Sequence, residues 1–265
     1  MKVIFFGDIV GKIGRQAIAK ILPEIRQEYQ PDIIIANVEN LAHGKGITSK
    51  TLKEMKDLGI DCFTSGNHIW KKEEAIEAAK NTQSILVTPA NDPRTKTGEG
   101  YQLIKLGTNK LFVINLLGRV FIDESDLRCP FKEMDKILKL PEIKEADGIF
   151  LDLHAEATSE KIAMGWYLDG RVAAVVGTHT HVPTSDSKIL PQGTAYVTDV
   201  GMVGPIDSVL GVKKEIIIEK FLTDSPIVFD IPETGEVEIN AVYLEINQQN
   251  KLAQKIEKIY KTIAV

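Results

Sequence analysis

Residues 2–11 read KVIFFGDIVG. Val3–Phe6 is apolar without a break, which is the pattern of a strand buried on both faces. Gly7-Asp8 then stops the run, leaving a carboxylate at the strand's carboxyl end. The residues that follow make this stretch decisive. Over 15–29 the apolar residues Ile18, Ile21, Leu22 and Ile25 recur at helical spacing. A second apolar run, DIIIAN at 32–37, predicts a second buried strand. A helix is predicted over 48–58, capped by Thr48 or Ser49. A third strand over 62–65 and a third helix over 72–80 complete the unit. Strand and helix alternating three times argue for a parallel sheet.

Further along, residues 101–106 and 110–117 predict a hairpin around Gly107-Thr108-Asn109. A less regular stretch over 119–128 leads to a helix near 131–139. Buried strands are expected at 148–153 and 172–176 with a helix between them, and another strand at 194–198. The tail suggests a hairpin of 237–246 with 252–260 across 247–250, although the second arm also reads as a helix. There is no repeat, low-complexity segment or dividing linker, so a single domain over 1–265 is expected. The class is α/β, with mixed, largely parallel sheets flanked by helices.

Composition narrows the function. The chain has 265 residues, 43% apolar and 26% charged, which is globular usage and enough to build a core. Its net charge of −5 presents no basic face, so stable nucleic-acid binding is not expected. A phosphate substrate is still open, because bound cations can dominate the field of a site. Cys62 and Cys129 fit no CxxC pattern and read as free thiols in a reducing cytoplasm. Asp8 interrupts the first apolar run, so no leader is read, and no run reaches the ~18 apolar residues of a membrane span.

The polar residues at the strand ends carry the chemistry. Asp8 follows the first strand, Glu39 and Asn40 the second (NVEN), and Asn67 and His68 the third (GNH). His154 ends IFLDLH, and His179 and His181 follow VAAVVG in GTHTH. Four of the five histidines thus lie at the strand edge where parallel α/β sheets bind ligands. Taken singly, each residue has a plain reading: an Asx turn for Asp8, a surface ion pair for Glu39, turn chemistry for Asn67, an ordinary hydrogen bond for any one histidine. Together, five strand ends of one sheet would deliver ligand-type side chains to a single edge. His179 and His181, two apart, would point the same way from extended backbone. Oxygen and imidazole donors of this kind suit Mn²⁺, Fe²⁺ or Zn²⁺, and the absence of cysteine argues against a structural zinc site. Other motifs are weaker. GDIVGKIG at 7–14 has neither the spacing of a phosphate loop nor that of a dinucleotide fingerprint, and no serine sits in G-x-S-x-G. Asp123-Glu124-Ser125-Asp126 reads as a solvated loop, and His43 in LAHGKGI as a loop residue near Glu39.

The order GD, acidic residue, GNH, lone His, GxHTH resembles the calcineurin-like metallophosphoesterase superfamily from Asp8 to His181. GDIVG, NVEN, GNHIW, DLHAE, GTHTHVPT and TDVGMVGP resemble its bacterial YmdB-like branch, described as 2′,3′-cyclic-nucleotide 2′-phosphodiesterases. The sequence departs from the wider superfamily in two places: Ile9-Val10 replaces the histidine of D-x-H, and Glu39 stands where an aspartate usually bridges. Both departures are features of the branch. The resemblance implies a metallophosphoesterase sandwich with two metal ions, iron or manganese first and zinc also suited. Asp8, Glu39, Asn40 and His181 would hold one, Glu39, Asn67, His154 and His179 the other, with Glu39 bridging. Two metals about 3.5–4 Å apart clamp both sides of an in-line displacement at phosphorus. A hydroxide between them would attack, and His68 would be the general acid for the leaving oxygen, its plain alternative being to orient Asn67. The expected substrate is a small phosphodiester, a 2′,3′-cyclic mononucleotide opened to the 3′-nucleotide. A phosphomonoesterase or nucleotidase on the same site, and a non-enzymatic metal-bound regulator, are the other classes. The family also suggests a homo-oligomer.

Overall fold

The computed structural model describes residues 1–74, 77, 85–95, 100–223 and 226–265. β1 (Lys2–Phe6) runs through Gly7 into the short β2 (Asp8–Ile9) and then α1 (Gly11–Tyr29). The helix starts four residues before the apolar spacing does, for a tertiary reason. The Gly11 amide donates to Asn40 O at 2.9 Å, and a side chain at Gly14 would meet Val203 O at 2.5 Å, so close packing sets this turn. β3 (Ile33–Asn37) and α2 (Ser49–Asp57) follow. Thr48 is the N-cap, accepting from Thr51 N while Thr51 Oγ1 accepts from Thr48 N, a reciprocal capping box. β4 (Cys62–Thr64) leads into a 3₁₀ turn at Asn67–Lys71. The helix expected over 72–80 lies largely outside the described residues.

The second half begins with the hairpin β5 (Tyr101–Leu106) and β6 (Asn109–Leu117), then α3 (Pro130–Ile137), β7 (Gly148–His154), α4 (Thr158–Leu168) and β8 (Ala174–Thr178). β9 (Lys188–Ile189), β10 (Ala195–Val197) and β11 (Met202–Pro205) precede α5 (Lys214–Thr223), where no element was expected because Ile216-Ile217-Ile218 has no helical spacing. The tail is β12 (Glu236–Asn247) and β13 (Leu252–Ala264), so the ambiguous second arm is a strand.

The strand ends do not belong to one sheet, as expected, but to two. The first sheet has the parallel core β1-β3-β4, and β12 lies antiparallel to β1 with Phe6 opposite Ala241. β12 also pairs β11 and, along its length, β13. The second sheet runs β5-β6-β7-β8-β10-β9. Among the described residues, six pairings are parallel and five antiparallel. Val3, Phe5, Ile33 and Ile35 of the first sheet pack with Leu111, Val113, Phe150 and Val176 of the second. The alternate residues Ile4, Phe6 and Ile34 face α1, and Ile114, Leu151 and Leu153 face α3 and α4. The result is helices, sheet, sheet, helices. Strands sandwiched in this way are covered on both faces, which is why KVIFF shows no polar alternation.

Candidate metal centre

The two sheets bring their strand ends to one place. Asp8 comes from β2, Glu39 and Asn40 from the turn after β3, Asn67 and His68 from the 3₁₀ turn after β4, all in the first sheet. The second supplies His154 as the last residue of β7, and His179 and His181 from the turn after β8. Asp8, Glu39, Asn40 and His154 are buried. Ligand atoms of Glu39, His154 and His179 lie within 4.8 Å of one another. His154 Nε2 is 3.2 Å from Glu39 Oε2 and 2.9 Å from His179 Nδ1. Asp8 Oδ2 accepts from His179 N at 3.2 Å, and Asp8 Oδ1 is 3.9 Å from His154 Nδ1. Asn40 turns its Nδ2 to Glu39 Oε1 and to His181 Nε2, both at 3.1 Å, and its Oδ1 to His68 Nδ1 at 3.2 Å. A half-turn of that amide would give the oxygen to the first two groups. His68 Nδ1 is also 3.4 Å from Glu39 Oε1, so His68 leans on Asn40 and Glu39.

His179 and His181 do not converge through extended backbone. Both are left-handed, with φ of 102° and 65°, and aim at different neighbours, His154 and Asn40. Such backbone is costly for residues other than glycine and persists only where surrounding contacts impose it. Space is equally tight at Gly66, where an added Cβ would lie 2.0 Å from Glu39 Oε2 and 2.4 Å from His154 Nε2.

Several residues that sequence reasoning passed over orient this set. Asp152 is buried between the sheets and accepts from Thr64 Oγ1 at 2.5 Å, Asn37 Nδ2 at 3.0 Å and Thr178 Oγ1 at 2.7 Å. Thr178 Oγ1 spends its proton on that carboxylate, so it accepts from His154 Nδ1, 2.9 Å away. His154 Nε2 is thereby left to face the centre. Glu156 Oε2 takes the Nε2 proton of His179 at 3.1 Å, and Leu210 O takes the Nδ1 proton of His181 at 3.0 Å. The available signal was Asp152 itself, two residues before His154 in an otherwise apolar strand.

These tautomers suit cations. His154 Nε2 and His179 Nδ1 would both present lone pairs across 2.9 Å, with a carboxylate oxygen beside them. Asp8 Oδ1 and Asn67 Oδ1 are buried without a hydrogen-bond partner among the described residues. Unpaired buried oxygens cost free energy, and a positive ion removes the cost. In the bare protein a proton fills part of that need. Burial opposes charge on His154, but Glu39, Asp8 and Asp152 outweigh it and push its pKa up to about 9. Burial and the neighbouring His154 push His179 down to about 3. Burial also lifts Asp8, ahead of the histidines that lower it, whereas for Glu39 burial is outweighed by His154 and His68, which hold it well below the usual carboxylate range. The donor set fits metal ions.

Known proteins resemble this chain over nearly its whole length. Residues 4–259 match the family described as YmdB-like protein. The chain belongs to the YmdB-like family. It is 45% identical over 259 residues to the 2′,3′-cyclic-nucleotide 2′-phosphodiesterase of Bacillus subtilis, covering 98% of this chain and 96% of that one. A crystal structure of a novel phosphatase from Mycoplasma pneumoniae superposes with a TM-score of 0.91 at 35% identity, over 99% of this chain and 93% of that one. A putative 5′-nucleotidase from Staphylococcus aureus shares the fold at 15% identity, TM-score 0.59, over 98% of this chain and 54% of that one. The YmdB-like chain therefore has the calcineurin-like metallophosphoesterase fold, and no helix among its described residues is long and apolar enough to cross a membrane.

Proposed function

We propose that this protein is a metal-dependent phosphodiesterase that opens 2′,3′-cyclic mononucleotides to 3′-nucleotides. The observation that carries the reading is the convergence of Glu39, His154 and His179 beside the unpartnered Asp8 Oδ1 and Asn67 Oδ1, in a chain so similar to a named enzyme of this activity. In this reading two iron or manganese ions, or zinc, are held at a dinuclear centre. Asp8, Glu39, Asn40 and His181 hold one, Glu39, Asn67, His154 and His179 the other. Bound there, the ions would supply Lewis acidity toward a phosphoryl group and its water. The chain supplies the rest. Hydrolysis adds water across the bond from phosphorus to O2′: the hydroxyl ends on phosphorus and the proton on O2′. His68 is given the role of holding that proton at Nε2, since its Nδ1 is turned to Asn40 and Glu39. The centre draws on both sheets, which supports reading the chain as one domain. The free thiols Cys62 and Cys129 favour a cytoplasmic setting, and the exposed Phe221, Leu222 and Val228 favour a homo-oligomer.

The test is a nucleotide panel on metal-stripped protein with Mn²⁺ or Fe²⁺ restored. The expected products of 2′,3′-cyclic nucleotides are 3′-phosphates, with 3′,5′-cyclic nucleotides slower. Release of 2′-phosphates alone would contradict the assigned leaving group. Faster turnover of terminal phosphomonoesters would instead make the protein a phosphatase. Absence of turnover with metals loaded would make it a regulator.

A further inference from the structure

We propose that Lys161 and Asp199, a buried ion pair outside the metal-binding set, clamp the His179–His181 turn into its ligating shape before any metal arrives. The inference rests on the metal-centre reading. Lys161 is 1% exposed and Asp199 0%, with Nζ 2.7 Å from Oδ2. Lysine is rarely buried this fully, and only with a partner. Its stem lies along β8 next to Gly177, where an added Cβ would meet Lys161 Cδ at 3.0 Å. Gly177 stands two residues before His179.

Asp199 uses both of its oxygens. Oδ2 accepts, besides Lys161, the amide of Thr180 at 3.1 Å, the residue between the two histidines. Oδ1 accepts Gly201 N at 2.9 Å, and Gly201 O in turn accepts Asp8 N at 3.2 Å. One carboxylate thus ties the histidine turn to the strand end that carries Asp8. The two consecutive amides of His179 and Thr180 each point at a buried carboxylate, Asp8 and Asp199. Amides aimed at fixed anions hold backbone in a bend it would otherwise avoid, here at His179 with φ of 102°. The same arrangement explains the lysine. Asp8, Glu39, Asp152 and Asp199 are all buried here. Without a partner on it, the buried Asp199 carboxylate would be free to turn away from the Thr180 amide. Lys161 keeps it in place. Lys161 and Asp199 are therefore positioning residues: they act through His179 and His181.

Two measurements on the full chain decide the matter, neither of them activity. The first is hydrogen exchange of the metal-free wild type over residues 178–186. A preformed clamp predicts that the Thr180 amide is already protected without metal. Exchange at the rate of an open peptide would overturn the proposal, and this result needs no variant to fold. The second is calorimetric titration of Mn²⁺ into Lys161→Met/Asp199→Asn, beside Leu168→Ala as a control that loses core packing in the same helix. The double variant should bind about 10–100-fold more weakly, the usual cost of losing an outer support, while the control keeps wild-type affinity. Equal affinity in double variant and wild type would overturn the clamp and leave the metal centre standing. A wild type that binds no Mn²⁺ would overturn the metal centre and the clamp with it.

Discussion

A methyl group at Gly66 would sit 2.0 Å from Glu39 Oε2, so Gly66→Ala must displace either the carboxylate or the backbone. Overpacking of this sort costs about 1–3 kcal/mol, which a domain of this size survives. The expected outcome is a folded protein with most of its metal lost, read by circular dichroism beside elemental analysis. Full metal content would mean that the pocket is looser than these distances imply. The opposite result is expected at His68. His68→Ala should keep its metals and lower kcat by ~10²–10⁴-fold, the range for a general acid. The loss should shrink on a nitrophenyl phosphodiester, whose leaving group needs no proton. Equal losses on both substrates would remove His68 from the acid role. The eight residues proposed for the site stand out in the sequence because each lies just past the end of an apolar run or ends one. Their supports were harder to see: Thr178 and Asp199 look like ordinary strand-end residues, and Asp152 like a stray carboxylate in an apolar strand, until the second sheet is laid against the first.

At the scale of elements, β7 and β8 together set the proton on His154. Thr178 holds Nδ1, and against burial Glu39, Asp8 and Asp152 push its pKa up to about 9, while burial pushes His179, in the turn after β8, down to about 3. Between about pH 3 and pH 9 a metal ion must therefore displace a proton from His154 but none from His179. The sign follows: affinity rises with pH through neutrality and levels off near pH 9, by about tenfold per pH unit for one proton. Calorimetry in buffers of different ionisation enthalpy, at pH 6, 7 and 8, counts the released proton. An affinity flat across that range would mean that His154 is already unprotonated in the metal-free protein. The strands themselves were readable because short, fully apolar segments alternating with amphipathic ones pack in few ways besides a parallel sheet under helices. The bend at His179–His181 was not, since periodicity assumes extended backbone and the amides of His179 and Thr180 are tied to the distant Asp8 and Asp199.

For the whole molecule, the arrangement of two sheets decides the function. Local pattern placed ligands at strand ends but said nothing about which sheet each strand joins. That depends on long-range pairing, above all on β12, which comes from the far end of the chain to lie against β1. Each sheet alone carries only part of the proposed donors: Asp8, Glu39, Asn40 and Asn67 in one, His154, His179 and His181 in the other. Ions held between them would join the halves and stabilise the fold by mass action. The most direct measurement is metal content per chain in gently purified wild type and in Glu39→Gln, with folding verified in both. The account predicts close to two transition-metal ions in the wild type and a much larger loss in Glu39→Gln than in Asn40→Ala, because Glu39 alone would serve both ions. A folded wild type with no micromolar affinity for any such metal, or equal retention by the two variants, would contradict it.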